Sequence, residues 1–436
     1  MTDTPPAASV EKFRDWRFGL FVHWGLYSLP ARHEWVKNYE RLTDEDYQPY
    51  FDHFEPDLYD PTKWARAARE AGMRYAVLTT KHHEGFCLWD SEVSDYTVAH
   101  TAWGKDAEDN DLVKRFVEAC RAEGLGVGFY HSLIDWHHPE FPIDLVHPQR
   151  DDEEAIAKAA GRDVQVYADY LHAQTRELLT NYGPIDIMWF DFSYPGRTYP
   201  DGRDGHGKGR DDWRSEELMA MVRELQPDIL INDRLDIPGD FVTPEQYQPD
   251  GPMQRDGQPV LWEACQTLNG SWGYDRDNLD WKSPETLVKM LVDSVSKDGN
   301  LLLNVGPTGR GEFDPRALAT LASIGEWMRL HERSIRGARP AAEYSAPVDC
   351  RFTQKGDRLY LHLFSWPMGH IHLNGLAGKV KYAQLLNDAS EIKRIVNDPH
   401  QQAQNTTMGG VSTETLTLKL PIQKPNVLVP VIELFL

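Results

Sequence analysis

Read for alternation alone, residues 18–335 fall into short apolar runs separated by longer stretches in which apolar positions recur every three or four residues. The apolar runs are 18–24, 75–80, 126–131, 185–192, 228–232, 260–267 and 300–305. Several lack the polar alternation of a half-solvated strand, which predicts strands buried on both faces, as in a parallel sheet. The stretches 61–72, 111–124, 163–182, 213–225, 284–297 and 315–332 carry helical spacing, and several end on Gly or Pro stop signals. Strand–helix repetition of this kind predicts an α/β fold with a (β/α)8-like barrel of the TIM type. Seven strands are visible, and the eighth is expected inside the irregular segment 236–259. The segment 202–212, rich in Gly and charge, is expected to be a mobile loop.

Near residues 338–340 the pattern changes. Runs at 358–364, 370–373, 380–386, 413–420 and 427–436 read as strands with no clear helix between them. They predict a small antiparallel β-sandwich at the C-terminus. The expected division is a catalytic barrel over residues 1–337 and a β-sandwich over 338–436. No internal repeat or low-complexity tract interrupts either part.

Composition narrows the partners. The net charge of −22, from 68 acidic and 46 basic side chains, argues against nucleic acid or an anionic membrane, both of which need a basic face. It fits a neutral or weakly charged small substrate. The four cysteines, Cys87, Cys120, Cys265 and Cys350, are far apart and form no C-x-x-C pair, so buried free thiols are expected rather than disulfides or a zinc site. The N-terminus has no basic start followed by an apolar run, and no stretch has the ~20 apolar residues of a membrane span. A cytoplasmic protein is expected. On that placement the sequons at Asn269 and Asn405 are chance matches.

In a barrel of this kind function sits at the C-terminal ends of the strands. Those ends read His23-Trp24-Gly25, Lys81-His82-His83-Glu84, Tyr130-His131-Ser132, Trp189-Phe190-Asp191 and Asn232-Asp233-Arg234, with Trp262-Glu263 near the start of a sixth strand. Any one of these residues alone reads as structural. The His82-His83 pair suggests a metal, but neighbouring strand residues point to opposite faces, so no metal site and no cofactor are expected. Imidazole, indole and guanidinium groups recurring over six strands suit a sugar. They bond hydroxyls and offer aromatic surface to its apolar face. Trp24, Trp35, Trp89, Trp136, Trp189 and Trp272 are expected in or beside the loops that crown the barrel.

Glycoside hydrolysis needs two carboxyl groups with different roles. Asp191 ends an apolar strand, where an idle carboxylate is costly, and is the expected nucleophile. Glu34, Glu84, Glu245 and Glu263 all qualify by position for the acid.

Several motifs are more specific. F-G-L-F-V-H-W-G-L-Y-S at 18–28, T-K-H-H-E-G-F at 80–86, G-F-Y-H-S-L-I-D-W at 128–136, W-F-D at 189–191 and G-N-L-L-L-N-V-G-P at 299–307 occur in order. Together they resemble the α-L-fucosidases of glycoside hydrolase family 29. The resemblance implies a retaining exo-glycosidase that releases terminal α-L-fucosyl residues, on a barrel followed by a β-sandwich. It matches Asp191 to the family nucleophile and His23, Glu34, Trp35, His82, His83 and Trp189 to residues that hold the sugar. His131 stands where relatives have Tyr or His, and Arg234 matches an active-site arginine. Glu245, in D-F-V-T-P-E, matches the acid/base of one group of relatives and is preferred. Glu263, in L-W-E-A-C, matches the position proposed in others. The implied partner is a fucosylated glycan or small fucoside; the oligomeric state stays open. The alternatives are a glycosidase of the same fold acting on a related sugar such as galactose, and a non-catalytic sugar-binding barrel.

Overall fold

The computed structural model describes residues 4–198, 202, 207–396 and 411–436. Eight parallel strands form the barrel: β1 (Phe18–Val22), β2 (Tyr75–Lys81), β3 (Gly126–Ser132), β4 (Ile187–Asp191), β5 (Leu230–Ile231), β6 (Phe241–Val242), β7 (Leu261–Thr267) and β8 (Asn300–Val305). Hydrogen bonding runs β5-β4-β3-β2-β1-β8-β7-β6. The ring closes between β5 and β6 through the single bridge Asn232–Phe241 and the bond from Asp240 N–H to Ile231 O at 2.7 Å. The expected eighth strand is therefore β6, only two residues long.

Helix α1 (Ala7–Trp16) precedes β1, and α2 (Pro61–Glu70), α3 (Leu112–Ala122), α4 (Val164–Asn181), α5 (Ser215–Leu225), α6 (Pro284–Ser296) and α7 (Pro315–His331) lie between or after strands. The sequence starts them in a consistent way. Asp60, Asp111, Asp163, Ser283 and Asp314 each accept a hydrogen bond from the first turn, with proline at the first position of α2, α6 and α7. Among the described residues no helix separates β5, β6 and β7; a two-stranded ribbon (Gln254–Arg255 with Gln258–Pro259) lies there instead.

Inside the ring, Phe21, Tyr75, Val77, Tyr130, Ile187, Trp189, Leu230, Phe241, Leu261, Cys265 and Leu302 form one packed cluster, closed at the strands' starting end by Phe13 of α1. Glycine makes room for the large rings. A Cβ on Gly19 would lie 2.4 Å from the Tyr75 ring and one on Gly126 2.3 Å from Trp16, well inside van der Waals contact. The barrel interior is a core, which leaves the strand-end mouth as the place for chemistry.

Two antiparallel sheets follow. One contains β9 (Arg339–Pro340), β10 (Cys350–Lys355), β11 (Arg358–Leu363), β13 (Tyr382–Leu385) and β16 (Val431–Phe435) in the order β9-β10-β11-β16-β13. The other contains β12 (His370–Leu373), β14 (Lys393–Val396) and β15 (Leu416–Lys419) in the order β12-β15-β14. Leu359, Leu361, Ile371, Leu373, Leu416, Leu418, Ile432 and Leu434 fill the space between them, which is the expected sandwich. Strands β10 and β14 were not legible from hydropathy. Tyr360, Leu386, Val429 and Val431 instead join the core of the barrel's helical layer.

The segment 202–212 differs from expectation where it is described. Lys208 is buried against Asp144 in an ion pair, and Arg210–Trp213 is a helical turn; residues 203–206 lie outside the described residues. All four cysteines are free and buried. Asn269 is buried, its Oδ1 accepting from Ser271 N–H at 3.2 Å. Asn405 lies outside the described residues. Among those described, no helix is long and apolar enough to cross a membrane.

Candidate active site

A cavity of about 690 Å³ opens at the C-terminal ends of the strands. It gathers residues expected from sequence: His23, Glu34, Trp35, His82, His83, Trp189, Asp191, Arg234, Glu245 and Trp272.

Asp191 is the last residue of β4, and its position on an inward-facing strand register aims the carboxyl into the mouth. Oδ2 accepts from Tyr130 Oη at 2.8 Å and Oδ1 from Arg234 Nη1 at 3.1 Å. His83 Nε2 lies 3.9 Å from Oδ2. Burial pushes this carboxyl up to about 6, with the Arg234 guanidinium opposing and Glu245 adding to the rise. Phe192, which follows, holds φ at 83°. That left-handed conformation is costly for a bulky residue and leaves its ring on the cavity wall.

Arg234 links two carboxylates. Nη2 of the same guanidinium that reaches Asp191 donates to Glu245 Oε2 at 2.9 Å, and Nε donates to Thr243 Oγ1 at 2.7 Å. Its Cζ lies 5.0 Å from the centroid of the Trp189 ring, over that ring. Glu245 follows β6, and its backbone is tied to β7: Gln246 N–H donates to Cys265 O at 3.0 Å. The Glu245 side chain is 40% exposed, so it can move although its backbone is pinned.

Glu263 does not reach the cavity. It lies inside the barrel, fully buried, beside the first residue of β8. Its carboxylate accepts from Tyr75 Oη and, at 3.3 Å, from Trp189 Nε1. Burial pushes it up to about 7 against those two hydrogen bonds.

The histidines are neutral, because burial lowers each of them: His82 to about 3, His23 and His83 well below the ordinary value. Their tautomers follow from their partners. Asn304 Nδ2 donates to Trp272 O at 2.7 Å, which fixes the amide so that its Oδ1 accepts from His23 Nδ1 at 2.7 Å. Ser132 Oγ donates to Ile134 O at 2.7 Å and so accepts from His83 Nδ1 at 2.7 Å. Both rings therefore carry their lone pair on Nε2. His82 Nδ1 is buried without a hydrogen-bond partner. Glu34, from the loop after β1, accepts from the N–H groups of Trp272 and Gly273 at 3.0 and 2.8 Å, and burial raises it.

The opposed orientation expected for His82 and His83 does not occur. Strand β2 ends at Lys81 with a shift in register, and both rings turn into the cavity with centroids 4.0 Å apart. Among the described residues, no three His, Cys, Asp or Glu side chains are grouped to hold a metal ion. His131 is not in the cavity. It faces the helical layer, where Nδ1 lies 3.2 Å from Thr80 Oγ1 and its ring centroid 5.9 Å from that of Trp89. Its neighbour Tyr130 takes the inward place. Pairing shows why: Tyr130 stands opposite Trp189 and Ser132 opposite Asp191, so residue parity selects 130 and 132. Asn304 was also missed, and its signal was a buried amide inside the apolar run Asn300–Val305. Trp24, Trp89 and Trp136 do not line the cavity. Trp24 stacks on Tyr59 at 4.9 Å, Trp89 donates to Glu177 at 2.8 Å, and Trp136 packs edge-on behind Trp35 at 5.2 Å. Glu84 also lies outside it, buried behind His82.

A second cavity, of about 610 Å³, lies at the opposite end of the barrel between α1 and the starts of β4 and β5. Lys12 and Asp186 pair across it at 2.6 Å, and it holds none of the residues above.

Residues 3–333 match the family model described as alpha-L-fucosidase. The chain is similar to the tissue alpha-L-fucosidases of Bos taurus (30% identical, covering 81% of this chain and 75% of that one) and Homo sapiens (28%, 81% and 75%). Among solved structures it resembles alpha-L-fucosidase isoenzyme 1 from Paenibacillus thiaminolyticus, at 44% identity, 98% coverage of both chains and a TM-score of 0.87. It also resembles a family 29 alpha-L-fucosidase from Bacteroides thetaiotaomicron trapped as a covalent intermediate with 2-fluoro-fucosyl fluoride in a glutamate-to-glutamine variant. There the identity is 26%, with 100% and 97% coverage and a TM-score of 0.81.

Proposed function

The chain belongs to the alpha-L-fucosidase family, and from that membership we propose that it is a retaining exo-glycosidase that releases terminal α-L-fucosyl residues through a covalent glycosyl-enzyme. The observation that carries this reading is one guanidinium, Arg234, holding Asp191 deep in the cavity and Glu245 at its rim. Two carboxyl groups in unlike environments are what double displacement requires.

In this reading Asp191 attacks the anomeric carbon. Arg234 and Tyr130 hold its two oxygens apart from other acceptors, so the attacking lone pair is oriented before the sugar arrives. Glu245 protonates the leaving oxygen and later deprotonates water. At rest Glu245 Oε2 accepts from Arg234 Nη2 at 2.9 Å; in the acid role it swings from that guanidinium toward the leaving oxygen when substrate enters, and its half-exposed side chain permits this. Glu263 then orients Trp189 from below. The neutral Nε2 acceptors of His23 and His83, together with Glu34, fit sugar hydroxyls, while Trp35, Trp272 and Phe192 suit the apolar face and a methyl group. Four buried thiols without a disulfide fit the cytoplasmic placement.

The test is hydrolysis of 4-nitrophenyl α-L-fucoside beside the α- and β-D-galactosides, with the first-formed anomer followed by proton NMR. Release from the fucoside with α-L-fucose formed first is expected. Release from a galactoside alone overturns the sugar assignment, and β-L-fucose formed first overturns retention.

A further inference from the structure

Behind the sugar-facing side of His82 is a buried carboxyl group that the reaction above does not use. Glu84 is 1% exposed, and neither of its oxygens has a hydrogen-bond partner. Its Oε2 lies 3.6 Å from His82 Nδ1, itself buried and unpartnered. Two unsatisfied polar atoms facing each other in a dry site are expensive unless a proton lies between them. A separation of 3.6 Å is slightly beyond a hydrogen bond and closes with a small torsion of the Glu84 side chain. The backbone N–H groups of Glu84 and Leu26 lie nearby, outside hydrogen-bonding geometry.

We propose that Glu84 is a positioning residue: held as the neutral acid, it donates a proton to His82 Nδ1 and fixes His82 as the tautomer that presents Nε2–H to the sugar. This inference rests on the fucosidase reading for the sugar and on geometry for the tautomer. Its consequence is a division of labour among three imidazoles. His23 and His83 donate from Nδ1 into the protein and accept at Nε2. His82 accepts at Nδ1 and donates at Nε2. A sugar oxygen that needs a donor meets His82, and hydroxyl protons meet the other two.

The surroundings keep Glu84 neutral. Burial pushes its carboxyl up to about 8. The groups facing it are His82 and Tyr96 from the segment after β2, Tyr27 from the turn after β1, Tyr47 from the helix Asp44–Asp52, Lys37 from the helix Val36–Tyr39 and Asp135 from the loop after β3. Lys37 is the one cation among them, and Asp44 engages it at 2.7 Å. Above about pH 8 the ionised Glu84 would accept from His82 Nδ1–H instead, and Nε2 would lose its proton.

The test compares wild type with Glu84→Gln and Glu84→Leu on 4-nitrophenyl α-L-fucoside, and reads the His82 tautomer in the ligand-free enzyme from 15N–1H long-range correlations. Glutamine keeps an N–H donor and does not titrate. It is expected to hold KM within about threefold of wild type and to abolish an alkaline rise in KM near pH 8. Leucine is expected to raise KM at least tenfold with a smaller change in kcat. In wild type at pH 7 the His82 proton is expected on Nε2. A proton on Nδ1, or a glutamine variant as impaired as the leucine one, overturns the proposal; the NMR reading decides even where the leucine variant does not fold. Absence of fucoside hydrolysis by wild type overturns the functional reading alone, because the tautomer is read without substrate.

Discussion

Asp191 must be a carboxylate to attack, yet it sits where burial opposes charge. Its folded-state value near 6 is raised above the ordinary 3.8. A raised carboxyl is stabilising when protonated, so the wild-type fold loses this contribution as pH climbs from about 4 through 6. Asp191→Asn is therefore expected to melt higher than wild type at pH 7, with the gap closing toward pH 4. The same value places the acid limb of kcat/KM near pH 6. Asp191→Ala should fold and lose several decades of kcat, with azide restoring part of the turnover. Retention of more than a tenth of kcat, under ~1.4 kcal/mol of transition-state stabilisation, would remove Asp191 from the nucleophile's role. The two glutamates separate by leaving group and by stability. Glu245→Ala should cripple poor leaving groups, spare the first step on activated aryl fucosides and leave the melting temperature nearly unchanged. Glu263→Ala leaves Tyr75 Oη and Trp189 Nε1 without their acceptor. It should weaken all substrates alike and destabilise the fold by about 1–3 kcal/mol. A leaving-group-selective loss in the Glu263 variant would transfer the acid role to it. At this scale the residues legible from the strand pattern were those that end a strand facing inward, while Glu34, Trp35 and Glu245, on loops, were reached through the motifs. Tyr130 escaped because its signal is parity between neighbouring strands, and Asn304 because its signal is a buried amide inside an apolar run. His131 was drawn in because motif order ignores that parity.

At the scale of elements, the barrel is firm where strands are long and thin at one seam. Strands β5 and β6 have two residues each, and the Asp240 side chain does much of the joining. Its Oδ2 accepts from Ile231 N–H at 2.7 Å and pairs with Arg223 of α5, both partners being nearly buried. The seam carries the site, since Arg234 follows one strand and Glu245 the other. Asp240→Ala strands a buried guanidinium and is expected to cost about 3–5 kcal/mol, with kcat/KM falling because Arg234 and Glu245 lose their common base. Asp240→Asn, which keeps an acceptor for Ile231, should fall between. Urea unfolding measures the first effect, and a loss below about 1 kcal/mol for the alanine variant would mean the ring closes without Asp240. The same seam explains what hydropathy could not show. Seven strands announce themselves as short apolar runs, several of them without polar alternation, but β6 is too short for a run, and no helix on either side punctuates it. Helix α1 was hard to see for a related reason: its apolar stripe is only Val10, Phe13 and Trp16, and of these only Phe13 is fully buried. Strand β10, Cys-Arg-Phe-Thr-Gln-Lys, alternates too weakly to stand out.

Over the whole molecule, the C-terminal sheets are fastened to the barrel rather than strung behind it. Trp327 of α7 donates to Val429 O at 2.7 Å, Thr353 to Ser334 O at 2.7 Å, and Arg351 meets Asp293 at 2.6 Å. Removing residues 338–436 would uncover α7 and the aromatic layer beneath Val429 and Val431. The shortened chain is expected to aggregate on expression, or to melt at least 10 °C lower if recovered. An unchanged melt would mean that the sheets contribute nothing to the barrel. The ring has a further consequence at this scale. Phe18–Val22 pairs on one side with Tyr75–Leu78, residues made soon after it, and on the other with Leu301–Val305. On the ribosome that second side has no partner until about 280 further residues have been joined, roughly 14–56 s at 5–20 residues per second. For that interval the nascent chain presents an apolar strand with one open edge, so the time of greatest exposure to chaperones and to misassembly ends when Leu301–Val305 emerges.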